Sequence, residues 1–154
     1  MIPAILATPR VLASLRAVLL ADATLTARLA TVPAANGGGP AIYTEGYVPA
    51  DARTDYLVIG PFTERSTPGM GDGHRWGSDL TTVIKLVTMN SNLSVCYGTV
   101  ERMIALLHGV PLKVADYDHG MALLETTVDA YSELIAGVPV WHLATLWNVG
   151  VQQI

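Results

Sequence analysis

Asp116, Asp118 and His119 place two carboxylates and an imidazole within four positions of one another. Such a set could hold a divalent metal ion that activates water for hydrolysis. The segment falls between two predicted strands, however, where aspartate is common because its side chain supports turns. The four histidines include no pair at the i, i+4 spacing of a helical zinc site, and a single cysteine cannot build a thiolate site. A small metal-binding hydrolase therefore stands only as an alternative function.

Glycines alternate with other residues over positions 69–73, a pattern that could cradle a phosphate in another setting. A phosphate cradle requires a helix directly after the glycines, because the helix N-terminus faces the phosphate. Here residues 79–90 predict a strand instead. No G-x-S-x-G motif is present, and Glu64 and Glu101 are isolated carboxylates with no partner at a spacing suited to acid–base catalysis. We therefore expect no enzyme activity, no cofactor and no bound metal.

The composition favours a soluble protein that binds other copies of itself. Its 154 residues suit one domain, and a net charge of −4 argues against a nucleic-acid binder with a basic face. Only 14% of the residues are charged. The uncharged run at 134–154 is too interrupted by glycine, proline and polar residues to predict a membrane span. Part of the apolar surface is therefore expected to be buried against neighbouring copies.

The spacing of apolar residues predicts three helices. The first begins at Pro9, a favoured residue for a first helical turn. A second, shorter helix begins at Asp22 or Thr24, carries Leu25, Leu29 and Val32 on its apolar side, and ends at Pro33. A third follows Ser94 as its N-cap and carries Cys96 on its apolar face, which predicts a buried thiol rather than a nucleophile.

The strand pattern predicts an antiparallel sheet. Two long strands flank residues 67–77, a glycine-rich connection of about ten residues, roughly twice the usual hairpin length. A further hairpin covers residues 121–154, with one strand at 121–133, a turn at 137–139 and a last strand from 141 to 151. Shorter strands are expected at 42–43 and 112–114.

These elements predict an α+β fold in one domain spanning residues 1–154. We expect an antiparallel β-sheet with a long-armed β-hairpin and α-helices packed on one face, which leaves the other face free for a neighbour. Because the long connection is neither a phosphate cradle nor opposite a catalytic group, we interpret it as a flexible assembly arm. The predicted interface residues of the hairpin and arm are Arg65, Met70, Asp72, His74, Arg75 and Trp76, and two further candidates in loop-like contexts are Tyr43 and Tyr47.

Several short segments, in their order and spacing, resemble a known family. These are Leu-Leu-Ala-Asp-Ala-Thr-Leu-Thr-Ala-Arg-Leu at 19–29, Ala-Ile-Tyr at 41–43, Tyr-Val-Pro at 47–49, and Tyr-Leu-Val-Ile-Gly at 56–60 with Thr-Glu at 63–64. The sequence resembles the tail-completion, or tail-terminator, family of tailed bacteriophages and prophages. The resemblance runs from about residue 10 to the end of the chain.

The resemblance implies a ring, typically a hexamer, that caps the tail tube, ends tail polymerisation and provides a docking surface for the head connector. Its partners would be further copies of the chain, the major tail-tube protein and a connector or stopper protein, with no membrane. DNA would pass through the lumen without specific binding, which suits an acidic chain. The protein would be made in the host bacterial cytoplasm and reside at the head–tail interface of the virion. A head-completion adaptor or stopper of the same interface is the alternative.

Overall fold

The computed structural model describes residues 6–68, 76–125 and 129–153. Within these ranges the chain forms two α-helices, then three strands, a third α-helix and three further strands. The helices are α1 (Thr8–Leu20), α2 (Ala23–Thr26) and α3 (Leu93–Leu107). The strands are β1 (Ile42–Thr44), β2 (Tyr56–Pro68), β3 (Trp76–Thr88), β4 (His119–Leu124), β5 (Asp129–Ile135) and β6 (Val138–Gln152).

A single sheet organises the fold, with strand order β1-β2-β3-β6-β4. All its pairs are antiparallel except β1 with β2, which run parallel. β5 pairs with the first half of β6, on the edge where β4 pairs with the second half. The predicted α+β class with a largely antiparallel sheet is confirmed.

The helices and one face of the sheet form the main core. α1 contributes Val11, Leu15 and Leu19, whose spacing places them on one side of a helix. The sheet contributes every second residue of its strands, because side chains alternate between faces. The buried residues of β3 and β6 on this face include Leu80, Ile84, Leu86, Leu143, Thr145, Trp147 and Val149.

The other face of the sheet is not entirely free, contrary to the prediction. Val58, Val87 and Val140 form a second, smaller cluster there, and Val48 and Tyr56 pack against it. Val48 belongs to the connection between β1 and β2, so this loop shields one end of the face. The loop shields three valines that would otherwise expose a hydrophobic patch on the sheet.

The predicted strand at 121–133 corresponds to β4 and β5, which both pair with the same edge of the long strand β6. Residues 126–128, between the two, lie outside the described residues. The hairpin turn also lies earlier than predicted, at Ala136 and Gly137, both with positive φ (50° and 79°). Positive φ at both central residues is typical of a type I′ two-residue hairpin turn, whose backbone twist matches the twist of the flanking strands. Val138 therefore begins β6 instead of forming part of the turn.

Three smaller predictions are corrected as well. α2 ends at Thr26, so Leu29 and Val32 lie beyond it, although Asp22 caps the helix as one of the two predicted candidates by accepting from the Leu25 N–H at 2.7 Å. α3 begins at Leu93 with Asn92 at the cap position, so Ser94 is inside the first turn. The expected strand at 112–114 is reduced to a single bridge between Pro111 and Met121. Cys96 is buried, as predicted.

A buried hydrogen-bond chain joins β3 to β6 and generates a stability prediction. Trp147 Nε1 donates to Thr145 Oγ1 at 2.7 Å, and that hydroxyl donates to the Ile84 carbonyl, also at 2.7 Å. Thr145→Val should destabilise the fold by about 1–3 kcal/mol, because it leaves a buried indole N–H without an acceptor. Urea unfolding of the variant measures the loss. In a Trp147→Phe background the same Thr145→Val change should cost clearly less, and equal costs in both backgrounds would contradict this account.

Candidate functional site

The carboxylate of Glu64 holds the N-terminus of α1 from the neighbouring strand β2. It accepts from the backbone N–H groups of Ala7 at 2.7 Å and Thr8 at 3.1 Å, and from the hydroxyls of Thr8 at 2.7 Å and Ser78 at 3.1 Å. The first N–H groups of a helix have no partner within the helix, and a carboxylate also suits the positive end of its dipole. Glu64 therefore has a structural role that its spacing in the sequence did not indicate.

The hydrogen bonds to Glu64 also determine its pKa. Partial burial acts to raise the pKa of this carboxyl, but the hydrogen bonds from Thr8, Ala7 and Ser78 outweigh burial and hold the pKa below its ordinary value. Glu64 lies four residues before the end of β2, so it anchors α1 close to the base of the predicted arm. We call this set of contacts the Glu64 clasp.

Two of the predicted hairpin and arm residues, Arg65 and Trp76, lie at one end of the β2–β3 hairpin. Arg65 is exposed on β2 and pairs across the strands with Asp79, which is also exposed. Trp76 is the first residue of β3, and its backbone pairs with Pro68. Four other members of the predicted set, Met70, Asp72, His74 and Arg75, lie outside the described residues. The structure therefore places only the base of the arm.

The two tyrosine candidates lie at the opposite end of the sheet from the arm. Tyr43 is half-buried on β1 and packs edge-to-face against Tyr56, with ring centroids 5.4 Å apart. Tyr47 follows in the loop and is 80% exposed. Tyr43 pairs with Val58, ten residues before the end of β2, which corresponds to about 33 Å of strand. The candidates therefore belong to two separate surfaces.

The segment that suggested a metal site makes structural contacts instead. Arg10 of α1 donates to Asp116 at 2.6 Å, and Gln153 donates to the Asp116 carbonyl at 2.8 Å. Asp116 has a φ of 66°, a left-handed conformation that aspartate adopts in turns. In the ranges the structure describes, no three His, Cys, Asp or Glu side chains lie close enough together to hold a metal ion.

His142 forms a polar cluster on the face opposite the helices, which the sequence did not indicate. Its Nε2 lies 2.8 Å from the Glu133 carboxylate, and Tyr131 stacks on its ring at 4.7 Å and 3°. All three residues belong to the β5–β6 hairpin, where Tyr131 and His142 are directly paired. The Nδ1 atom is buried and has no hydrogen-bond partner in the described part of the chain. The contacts connect β5 firmly to β6.

The tip of the same hairpin is the largest feature that sequence reasoning missed. Leu134, Ile135 and Val138 are 73%, 53% and 45% exposed, and the intervening Ala136 and Gly137 are exposed as well. These residues open the uncharged run at 134–154, whose composition does not separate exposed from buried positions. What distinguishes this part is the two-residue turn at its centre, since a hairpin tip projects its side chains away from the core.

A solved structure has the same fold over nearly the whole chain. It is a chain of the virion of a native gene transfer agent particle, with a TM-score of 0.68 and 16% sequence identity over 97% of this chain and 99% of that chain. The two chains share a fold. No protein-family model and no curated protein matches this sequence. Among the described residues, none of the helices is long and apolar enough to cross a membrane.

The Glu64 clasp predicts a pH-dependent contribution to stability. Glu64→Gln should lower the free energy of unfolding by about 1–3 kcal/mol at neutral pH, because the amide is uncharged and presents only one acceptor oxygen to several donors. Since the folded-state pKa is lowered, the wild-type contribution is complete above the ordinary pKa of a glutamate. It is lost as the pH falls through the lowered value.

Thermal and urea unfolding between neutral pH and pH 3 would test this. The wild type should lose its advantage over Glu64→Gln as the solution becomes acidic. Glu101→Gln is the matched control, since Glu101 is exposed on α3 and should show little change. A wild type and Glu64→Gln variant with parallel stability profiles would refute the clasp.

Proposed function

We propose that this chain is a structural virion protein of a tailed-phage-like particle and acts there as the tail terminator. The observation that carries the proposal is the full-length fold likeness to a chain of a gene transfer agent virion. The order of short segments that resembles the tail-terminator family supports the same role. The described residues also offer extensive exposed apolar surface for assembly.

The proposed assembly is a ring, with six copies as the expected number. In a cyclic ring each copy meets its neighbours through two different patches, and the interface closes by rotation. This chain has distinct surfaces at the two ends of its sheet, one at the base of the arm and one at the β5–β6 turn. Such a polarity suits a ring better than a symmetric dimer, whose interface uses one patch twice.

The proposed role places the ring between the tail tube and the head connector. The low charge leaves much of the surface suited to protein contacts, and the net charge of −4 is compatible with DNA moving past without being held. The substrate of this protein is then a growing tube, whose last ring it covers. No bond is made or broken in that step.

Particles produced without this protein test the role directly. Electron microscopy should show tails of irregular, extended length that are separate from filled heads. When the protein is supplied again during assembly, tails should have normal length and should join to heads. Tails of fixed length that join heads without the protein would overturn the proposal, and tails of fixed length that fail to join would point to the adaptor or stopper alternative.

A shortened hairpin tests whether residues 69–75 contribute to assembly. Replacing them by Asn-Gly would connect Pro68 to Trp76, which are already paired, through a favoured two-residue turn. We expect a folded protein, shown by an unchanged circular dichroism spectrum, that no longer completes tails. The matched control replaces residues 69–75 by seven glycine and serine residues. A shortened protein that completes tails as well as the wild type would show that the arm is dispensable.

A further inference from the structure

The tip of the β5–β6 hairpin is apolar on both sides. Residues 134–139, which we call the hairpin tip, are all exposed and include no charged side chain. Leu134 and Ile135 are consecutive on β5, so they project to opposite faces of the strand. A flat partner surface could cover only one of these faces. The hairpin tip therefore suits insertion into a concave apolar surface.

A partly apolar cleft lies at the other end of the sheet. It has a volume of about 400 Å³, which is within the size range of protein ligand sites. We call it the terminal cleft. Its lining includes the apolar side chains of Leu112, Met121 and Val151 and the polar side chains of Asp79, Asp118 and His119. Met121 is 41% exposed there, so the cleft presents apolar surface to solvent.

Gly150 gives the terminal cleft an open wall. A Cβ atom added at this position would meet only the Asp79 Oδ1 atom within 4 Å, at 3.8 Å. The residue lies inside β6 and is paired on both sides, with Asp79 of β3 and Met121 of β4. A glycine inside a strand often marks a place where another backbone approaches closely. The absence of a side chain at Gly150 therefore leaves room for a segment of another chain to bind.

The hairpin tip and the terminal cleft are too far apart to meet within one chain. They lie at the two ends of β6, whose 15 residues span about 46 Å. A contact between them must therefore join two copies, and it uses a different patch on each. Contacts of this heterologous kind propagate from copy to copy and produce a ring when the rotation closes. The hairpin tip carries no charged side chain, so it would bring no like charge to Asp79 at the wall of the cleft.

We propose that the hairpin tip of one copy inserts into the terminal cleft of the next copy. This inference rests on the proposed ring and identifies the two surfaces that build it. Leu134, Ile135 and Val138 supply the inserted side chains. Met121 and the open wall at Gly150 receive them.

Disulfide formation between copies tests the contact. The native Cys96 is buried, so crosslinks are expected to form through the introduced, exposed thiols. Val138→Cys protein mixed with Met121→Cys protein should form crosslinked dimers under mild oxidation, well above the yield of either variant alone. Val138→Cys mixed with Ala105→Cys, a change on the exposed side of α3, is the control pair and should give only background yield.

Filling the terminal cleft provides a second arm of the test. Gly150→Val in the Met121→Cys protein should reduce crosslinking severalfold while the fold is kept, because valine suits a strand and its Cβ atom would meet only the Asp79 Oδ1 atom, at an ordinary contact distance of 3.8 Å. Val95→Ser, which removes a comparably exposed apolar side chain from α3, should leave the yield unchanged. Crosslinking no better than the control pair up to millimolar protein would overturn the inference. Dominant crosslinking of Val138→Cys to itself would do the same, since it indicates a two-fold contact.

The outcomes separate this inference from the proposed function. If light scattering shows a ring that does not crosslink between tip and cleft, the ring is built by other surfaces and only the inference fails. If the crosslinked ring forms but tails complete normally without the protein, the contact is real and the tail-terminator role fails.

Discussion

The pairing of β6 is the constraint on which the rest of the structure depends. One edge of this strand pairs with β3 over twelve residues, and the other edge serves β4 and β5 in succession. A slip of one residue would move Trp147 from the core to the opposite face and bring Asn148 into the core. The hydrogen bond from Thr145 to the Ile84 carbonyl of β3 opposes such a slip, because it is satisfied in one register only. The register of β6 therefore determines which residues lie at each end of the sheet.

Charged side chains then attach the helices and loops to this sheet. The Glu64 clasp connects the start of α1 to β2, and Arg10 connects α1 to the turn at Asp116. Arg102 of α3 donates to both carboxylate oxygens of Asp22, at the cap of α2. These hydrogen bonds to Arg102, together with the capped Leu25 N–H, lower the pKa of Asp22. The chain has few charges, and several of them stabilise the fold instead of covering its surface.

Local sequence patterns predicted the helices and strands of this fold better than the long-range contacts between them. The apolar spacing of α1, the β-rich sequence of the long hairpin and the buried Cys96 all follow from periodicity and propensity, and the structure has them. The pairing of both β4 and β5 with β6 is long-range, so no local window contains it. The Glu64 clasp was missed for the same reason, since its donors at Ala7 and Thr8 lie more than fifty residues earlier. The exposure of the hairpin tip depends on the position of one turn, at Ala136 and Gly137, because the turn decides which apolar residues project from the core.

The surfaces left for assembly follow from how the core is completed. The helices cover one face of the sheet, and the loop around Val48 covers one end of the other face. Two exposed apolar surfaces lie at the ends of the sheet. Met121 and the terminal cleft lie beside the base of the arm, and the hairpin tip lies at the far end of β6. If the tip of one copy enters the cleft of the next, that contact lies next to the base of the arm, where Pro68 pairs with Trp76. A partner bound at this base would then touch both copies, so it would also stabilise the contact between them.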